Sequence, residues 1–335
     1  MAKIIPVGKL PNEMLAAALA DLLSDDASLF VGPGVGEDAA VLDTGEDDLV
    51  VVTADPITFS SDRIGFYAVT VNANDIATTG AHPRWFFPTL LFPVGTEETE
   101  VIRVFRDIGN AASAIGVTVS GGHTEITTSV RRPVVCGAMM GSVCKARLRS
   151  KTRIAPGDTI VMTKTAGNEG TAILARDFAG HLIKNGITRK EIAAAESFLD
   201  RLSILPEARI GAEIQSVRAM HDVTEGGVAT ALLELGLASG CGIEIDLDAI
   251  PIDPVTVSLC RVCGLEPLGL IGSGSLLSVL DTSCTDQYVK TLESNCIPAA
   301  PIGRVTGFGE PVAAVSKGAV ADFPRFDADE ITKMF

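Results

Sequence analysis

The chain has no apolar run approaching the roughly 18 residues that a membrane span needs, and no basic segment followed by a hydrophobic signal core opens it. These two absences speak against a membrane protein and predict a cytoplasmic one. An overall excess of basic residues is also missing. Lys and Arg number 27 against 42 Asp and Glu, and the formal charge of −15 opposes binding to nucleic acid, whose partners carry a concentrated basic footprint. Of seven cysteines only Cys260 and Cys263 stand in a CxxC spacing, with no second pair to complete a zinc site. They read as reduced thiols, the CxxC as one face of a buried helix. Finally, no GxxxxGK[ST] occurs, and no GxGxxG follows a strand, so the two commonest nucleotide signatures are excluded.

What is present is a chain of 335 residues, 47% hydrophobic, whose 33 glycines are scattered in short clusters. Such a composition buries real cores and suits two domains of roughly 150 residues. Pro11 to Leu23 predicts a first helix, with Leu15, Ala18, Leu19 and Leu22 on one face. Strands are predicted over Ala39–Leu42, Leu49–Thr53, Trp85–Phe92, Val117–Ser120 and Pro133–Val143, and helices over Ile64–Thr79 and Glu97–Ala114. The order is mixed α/β. A basic, pattern-free stretch carrying Lys145, Arg147, Arg149, Lys151 and Arg153 ends in Pro156-Gly157-Asp158 and places the domain boundary at 150/151, giving domains 1–150 and 151–335. Beyond it come a strand at Thr159–Thr163, helices from Asn168 to about Glu213, a strand at Val217–His221 and a helix at Gly226–Ser239.

The chemistry-bearing residues gather at element ends. Gly32-Pro33-Gly34-Val35-Gly36-Glu37-Asp38 offers backbone able to approach phosphates, then two carboxylates; Mg2+ takes hard oxygen ligands from a few carboxylates and from substrate phosphates. Read alone, the same segment fits an acidic surface turn. Thr53-Ala54-Asp55 ends a strand, and Asn72 and Asp75, three apart, share a helix face. Gly121-Gly122-His123-Thr124 follows a strand, where α/β proteins often place ligand groups, or is a plain turn. His221-Asp222-Val223-Thr224-Glu225-Gly226-Gly227 joins a strand to a helix whose first amides suit an anion, although Thr224 also fits an ordinary N-cap and His221 a structural histidine. Gly272-Ser273-Gly274-Ser275 reads as a flexible turn, or as another anion contact.

Taken in order, Gly36-Glu37-Asp38-Ala39-Ala40, Thr53-Ala54-Asp55, Asn74-Asp75-Ile76-Ala77, Gly80-Ala81-His82-Pro83 and Gly121-Gly122-His123-Thr124 resemble the aminoimidazole ribonucleotide synthetase superfamily. Gly167-Asn168-Glu169-Gly170 and His221 to Leu232 look most like its hydrogenase-maturation carbamoyl dehydratase branch. The resemblance implies a two-domain α/β fold, an N-terminal domain pairing in a homodimer, and a C-terminal domain closing over an ATP cleft. It also implies Asp38, Asp55 and Asp75 as Mg2+ ligands. Gly36, Glu37, Asp38, Thr53, Asn74, Asp75, Gly121, Gly122, His123 and Thr124 would contact the nucleotide, and Lys164, His221 and Asp222 would serve catalysis near a small or protein-borne acceptor. The expected function is Mg-ATP-dependent phosphorylation of an amide-like or other acceptor. Alternatives are a regulatory nucleotide-binding dimer, or a kinase resembling the thiamine-monophosphate or selenophosphate branches. The carbamoyl dehydratase branch carries its substrate on a terminal cysteine, whereas this sequence reads Phe323-Pro324-Arg325-Phe326 and then Met334-Phe335, which leaves the acceptor open.

Overall fold

The structure is a computed structural model that describes residues 5, 7–20, 22, 26–58 and 62–335. It divides into two compact units. One comprises the described residues of 25–32 together with 38–148; the other comprises those of 1–24, residues 33–37 and residues 149–335. The early residues thus belong with the later unit rather than with a domain 1–150. Two contacts account for this: Lys9 reaches Glu234 at 2.6 Å, and Gly36 lies against the backbone carbonyl of Glu234. The first helix is α1 (Asn12–Ala20), and the end expected at Leu23 lies outside the described residues.

The first unit is a sheet with two helices. Its strands are β1 (Leu29–Val31), β2 (Ala40–Leu42), β3 (Asp48–Ile57), β4 (His82–Pro93), β5 (Thr118–Val119), β6 (His123–Thr127) and β7 (Val134–Cys144), and its helices are α2 (Ile64–Thr78) and α3 (Glu98–Ala114). The order is β1-β2-β3-β7-β4-β5, with β6 also beside β4. β5 and β6 run parallel to β4; the other pairs are antiparallel. His123 and Thr124, expected in a turn, open β6, with only Gly121 and Gly122 left in the connection.

β7 alternates strictly, with Val135, Met139 and Val143 turned inward. Gly137 and Gly141 share that face, and a Cβ on either would collide with Asn72 or Ile76 of α2. Their missing side chains let α2 lie directly on the sheet. All of α2 except Phe66 is consequently buried, polar residues included. A helix that is buried all round can carry carboxamides and a carboxylate only if each is hydrogen-bonded, which turns α2 into the positioning element of its unit.

The second unit holds α4 (Asn168–Asp177), α5 (Ala179–Lys184), α6 (Arg189–Glu196), α7 (Leu205–Glu213), α8 (Gly227–Ser239), α9 (Pro254–Cys263) and α10 (Thr285–Ser294). Its strands are β8 (Thr159–Thr163), β9 (Val217–Asp222), β10 (Cys241–Asp246), β11 (Leu276–Leu280), β12 (Ala299–Phe308), β13 (Val312–Ser316) and β14 (Ala319–Ala321), in the order β14-β13-β10-β12-β8-β11-β9. Ile160, Met162, Leu232, Leu235, Ile243, Val279 and Ile302 form its core. The basic stretch before Pro156 is structural rather than a solvated linker. Arg149 donates to the carbonyls of Gly211, Ala212 and Ile214 at the end of α7, adding a side-chain donor where helix carbonyls run out of intrahelical partners. The CxxC lies on α9 as expected, and burial pushes the Cys260 thiol up to about 12, so it stays protonated and inert.

Candidate functional site

In the first unit the acid-bearing segments meet through β3 and α2. The Thr53 hydroxyl lies 2.8 Å from Asp75 Oδ2 and 3.0 Å from the Asp38 backbone carbonyl. Asn72 accepts from the Asp55 amide at 3.0 Å and donates to the carbonyls of Ala68 at 2.8 Å and Asp55 at 3.3 Å. Asn72, Asn74 and Asp75 are buried, while Asp38 and Asp55 are partly exposed. This fixes three polar segments that the sequence separates by up to 37 positions, Asp38 to Asp75. Among the described residues Asp38, Asp55 and Asp75 do not form a group whose carboxylate oxygens all lie within 4.8 Å of one another. Asp55 sits two residues beyond Thr53 along the extended β3, which spaces it from the Thr53–Asp75 contact.

Hard oxygen donors in such a row fit Mg2+ shared between one or two carboxylates and phosphate oxygens better than an all-protein cage. In the same unit Gly121 and Gly122 are exposed, and Gly122 has φ +143° with the Pro88 carbonyl where a Cβ would stand. His123 is exposed and pairs only loosely with Glu125, at 3.3 Å.

In the second unit the glycine-rich loop is pinned, not free. Gly36 has φ +82°, and a Cβ there would strike the Glu234 carbonyl of α8. Glu37 pairs with the buried Lys151 at 3.6 Å, so its carboxylate is engaged by a protein cation and not held ready for a metal. His221 and Asp222 end β9 and are both buried. His221 Nε2 lies 3.4 Å from Glu234 Oε2, whose other oxygen takes Lys9. Burial of Glu234 favours its neutral form, yet the hydrogen bond to His221 and the Lys9 charge together hold the carboxyl below its ordinary value. Neither Lys9 nor Glu234 was foreseen; they stand 225 positions apart and have no local pattern.

Lys164 differs most from expectation. Its ammonium donates to the carbonyls of Arg201 (3.0 Å), Ser203 (2.8 Å) and Gly274 (2.8 Å) and pairs with buried Glu207 at 2.6 Å. Three N–H groups facing four acceptors leave none for a phosphate.

The turn before α8 is likewise occupied. The Gly226 amide donates to Asp329 Oδ2 at 2.6 Å, and Asp329 Oδ1 accepts from Ile271 at 3.2 Å and Ile331 at 2.8 Å. A carboxylate from the chain's own last residues thus takes an amide that suited an external anion.

Burial raises Asp329 to about 6 against three amide bonds that lower it, with the Glu225 charge a smaller raising influence, and burial raises Glu169 to about 8. A carboxyl whose folded value is raised binds its proton more tightly when folded. Its contribution to stability is complete below the unfolded value and is lost as pH rises through the folded one. The second unit is therefore expected to lose stability between about pH 4 and 8, by up to about 1.4 kcal/mol per pH unit for each titrating proton. Urea midpoints measured across that range check it, and Glu169→Gln should flatten the upper part of the curve.

Residues 36–143 match the N-terminal domain of the AIR synthase related protein family, and residues 155–316 match its C-terminal domain. The carbamoyl dehydratase HypE of Rhodobacter capsulatus is 30% identical over 321 residues, covering 91% of this chain and 86% of that one. A crystal structure of a HypE–HypF complex superposes with a TM-score of 0.72 at 21% identity, over 92% of this chain and 99% of that one. The structure of hydrogenase maturation protein HypE in complex with ATP gives 0.69 at 22% identity, over 91% and 89%.

Proposed function

Because the chain belongs to the AIR synthase-related family, with both of that family's domains in order, we propose that it is an ATP-dependent enzyme that activates an acceptor by phosphorylation. The observation that carries this reading is the Asp38–Thr53–Asp75 linkage, in which one buried hydroxyl ties two of the acid-bearing segments together. Asp38, Asp55 and Asp75 are the residues that would hold Mg2+, and the ion would supply charge neutralisation for the phosphates. Thr53 and Asn72 set the acid-bearing segments in place through hydrogen bonds within the protein, the kind of positioning on which phosphoryl transfer depends. The open Gly121–Gly122 backbone, with His123 and Thr124 behind it, offers amides to the nucleotide.

His221 and Asp222 are the groups assigned to the acceptor. Glu234 orients His221 through Nε2, and Lys9 keeps Glu234 anionic. Lys164 drops out of the catalytic set because its donors are consumed internally. A protein-borne acceptor is supported by the relative crystallised with HypF, and a homodimer remains the expected assembly. Among the described residues no helix is long and apolar enough to cross a membrane.

Titration calorimetry with ATP, with and without Mg2+, tests the reading. Mg-dependent binding is expected in the wild type, and Asp38→Asn should weaken it by roughly 10-fold or more. Absence of any ATP binding by the folded wild type would overturn the proposal.

A further inference from the structure

Glu169 has no task in the reading above, and its surroundings are unusual for a structural acid. It lies in the first turn of α4, a helix buried without a break from Asn168 to Ala175, and only 5% of its surface is exposed. Its backbone is held from both sides. The Asn168 side chain accepts from the Thr165 hydroxyl at 2.7 Å and donates to Ser275 at 2.9 Å, while Gly170 sits so close to Leu270 that a Cβ would not fit. The carboxyl group is hydrogen-bonded by Ser273, but Oε2 is buried and meets no donor.

Among the described residues no cation offsets it. The charges acting on Glu169 are Glu225 from the turn before α8, Asp329 from the C-terminal segment and Asp222 from the end of β9, all carboxylates. A buried acid kept for stability would have a cationic partner or a full set of donors, since an apolar side chain of similar size is otherwise the more stable choice. Burial foremost, and then these carboxylates, raise its proton affinity to the point where it titrates at about 8. Asp222 is also one of the two residues assigned to the acceptor, so Glu169 belongs to the same group of side chains.

We propose that Glu169 is a catalytic acid–base residue, receiving through its unpaired Oε2 the proton that the acceptor's attacking O–H or N–H must release. This rests on the phosphoryl-transfer reading. The acceptor heteroatom's lone pair forms the bond to the γ-phosphorus, and the bond from that phosphorus to the bridging oxygen breaks, its electrons leaving with ADP. The acceptor proton passes to Oε2 and afterwards to solvent. The ionised form is a minority near neutral pH but a correspondingly strong base, which suits general-base catalysis close to working pH.

The test uses the full chain, Mg-ATP and water as the acceptor, with ADP release followed from about pH 6 to 9. The wild-type rate is expected to rise with a midpoint near 8. Glu169→Gln should lose roughly 100-fold or more in rate together with that rise. Glu169→Ala should lose as much and regain rate when formate is added, a rescue that a purely structural role would not show. If the alanine protein folds poorly, the isosteric glutamine variant carries the test. ADP release by Glu169→Gln at the wild-type rate and pH dependence would overturn the role, as would a wild type that binds Mg-ATP without turning it over. A folded wild type that binds no Mg-ATP would instead overturn the phosphoryl-transfer reading itself.

Discussion

Lys164→Met is expected to destabilise the second unit by about 3–5 kcal/mol, the loss typical of a buried ion pair broken from one side. The residue adopts a left-handed backbone, φ +56°, which an L side chain takes only when its surroundings compensate. The compensation is the ammonium itself, which ties Arg201, Ser203 and Gly274 to the end of β8 and neutralises Glu207. Methionine keeps the stem and removes all four contacts. Glu207, only 1% exposed, then retains the Thr163 hydroxyl at 3.3 Å and no cation. Denaturant unfolding followed by circular dichroism reads the loss. Adding Glu207→Gln to Lys164→Met should recover part of it by removing the stranded charge. Lys164→Arg should recover little, because a planar fork cannot converge on acceptors arranged around a point. If Lys164→Met unfolds at the wild-type midpoint, the clamp is not what holds these loops.

Asp75→Asn is the counterpart in function. Asparagine keeps the size of the side chain and can still accept from Thr53, so the fold should hold or gain slightly from losing a buried charge. Mg-dependent ATP binding should fall by roughly 10- to 100-fold, as metal sites do when a ligand or its support is altered. Asp75→Ala differs in kind: it removes the 2.8 Å contact with Thr53, leaves that hydroxyl only the Asp38 carbonyl, and should cost about 1 kcal/mol in stability as well. Comparing the two variants by calorimetry and by melting separates the charge that binds from the hydrogen bond that positions. An Asp75→Asn protein with wild-type Mg-ATP affinity would remove Asp75 from the metal site.

The sequence is most informative where one short segment contains its own explanation. The runs 133–143 and 64–79 read as a strand and a helix, and β7 and α2 agree with them to within a residue at each end; polar groups within 72–75 and at the end of the 49–53 strand pointed to Asn72, Asp75 and Thr53. What stays hidden depends on distant partners. The Lys9–Glu234–His221 chain joins an early loop, a late helix and a strand end, none of which looks unusual alone. Lys164 resembles a lysine at the mouth of a site until the carbonyls around it are in view. Glu169 did leave a signal, a carboxylate followed by Gly170, Thr171, Ala172, Ile173 and Leu174, in a helix with almost no polar face to carry it. The strands β10 to β14 were missed because their pairing is settled by neighbours far along the chain, and the short edge strand β14 has little alternation to read.

The division of the molecule matters for anyone who would cut it. Residues 33–37 and the described part of 1–24 complete a unit whose remainder starts at Arg149, so neither unit is a contiguous stretch of gene. A fragment beginning at 149 would expose the surface of α8 that Gly36 covers and would leave Glu234 without the cation from Lys9. Expressed alone it should be poorly soluble. Supplying residues 1–37 in trans, or rejoining them by circular permutation, is the form in which that half can be studied by itself.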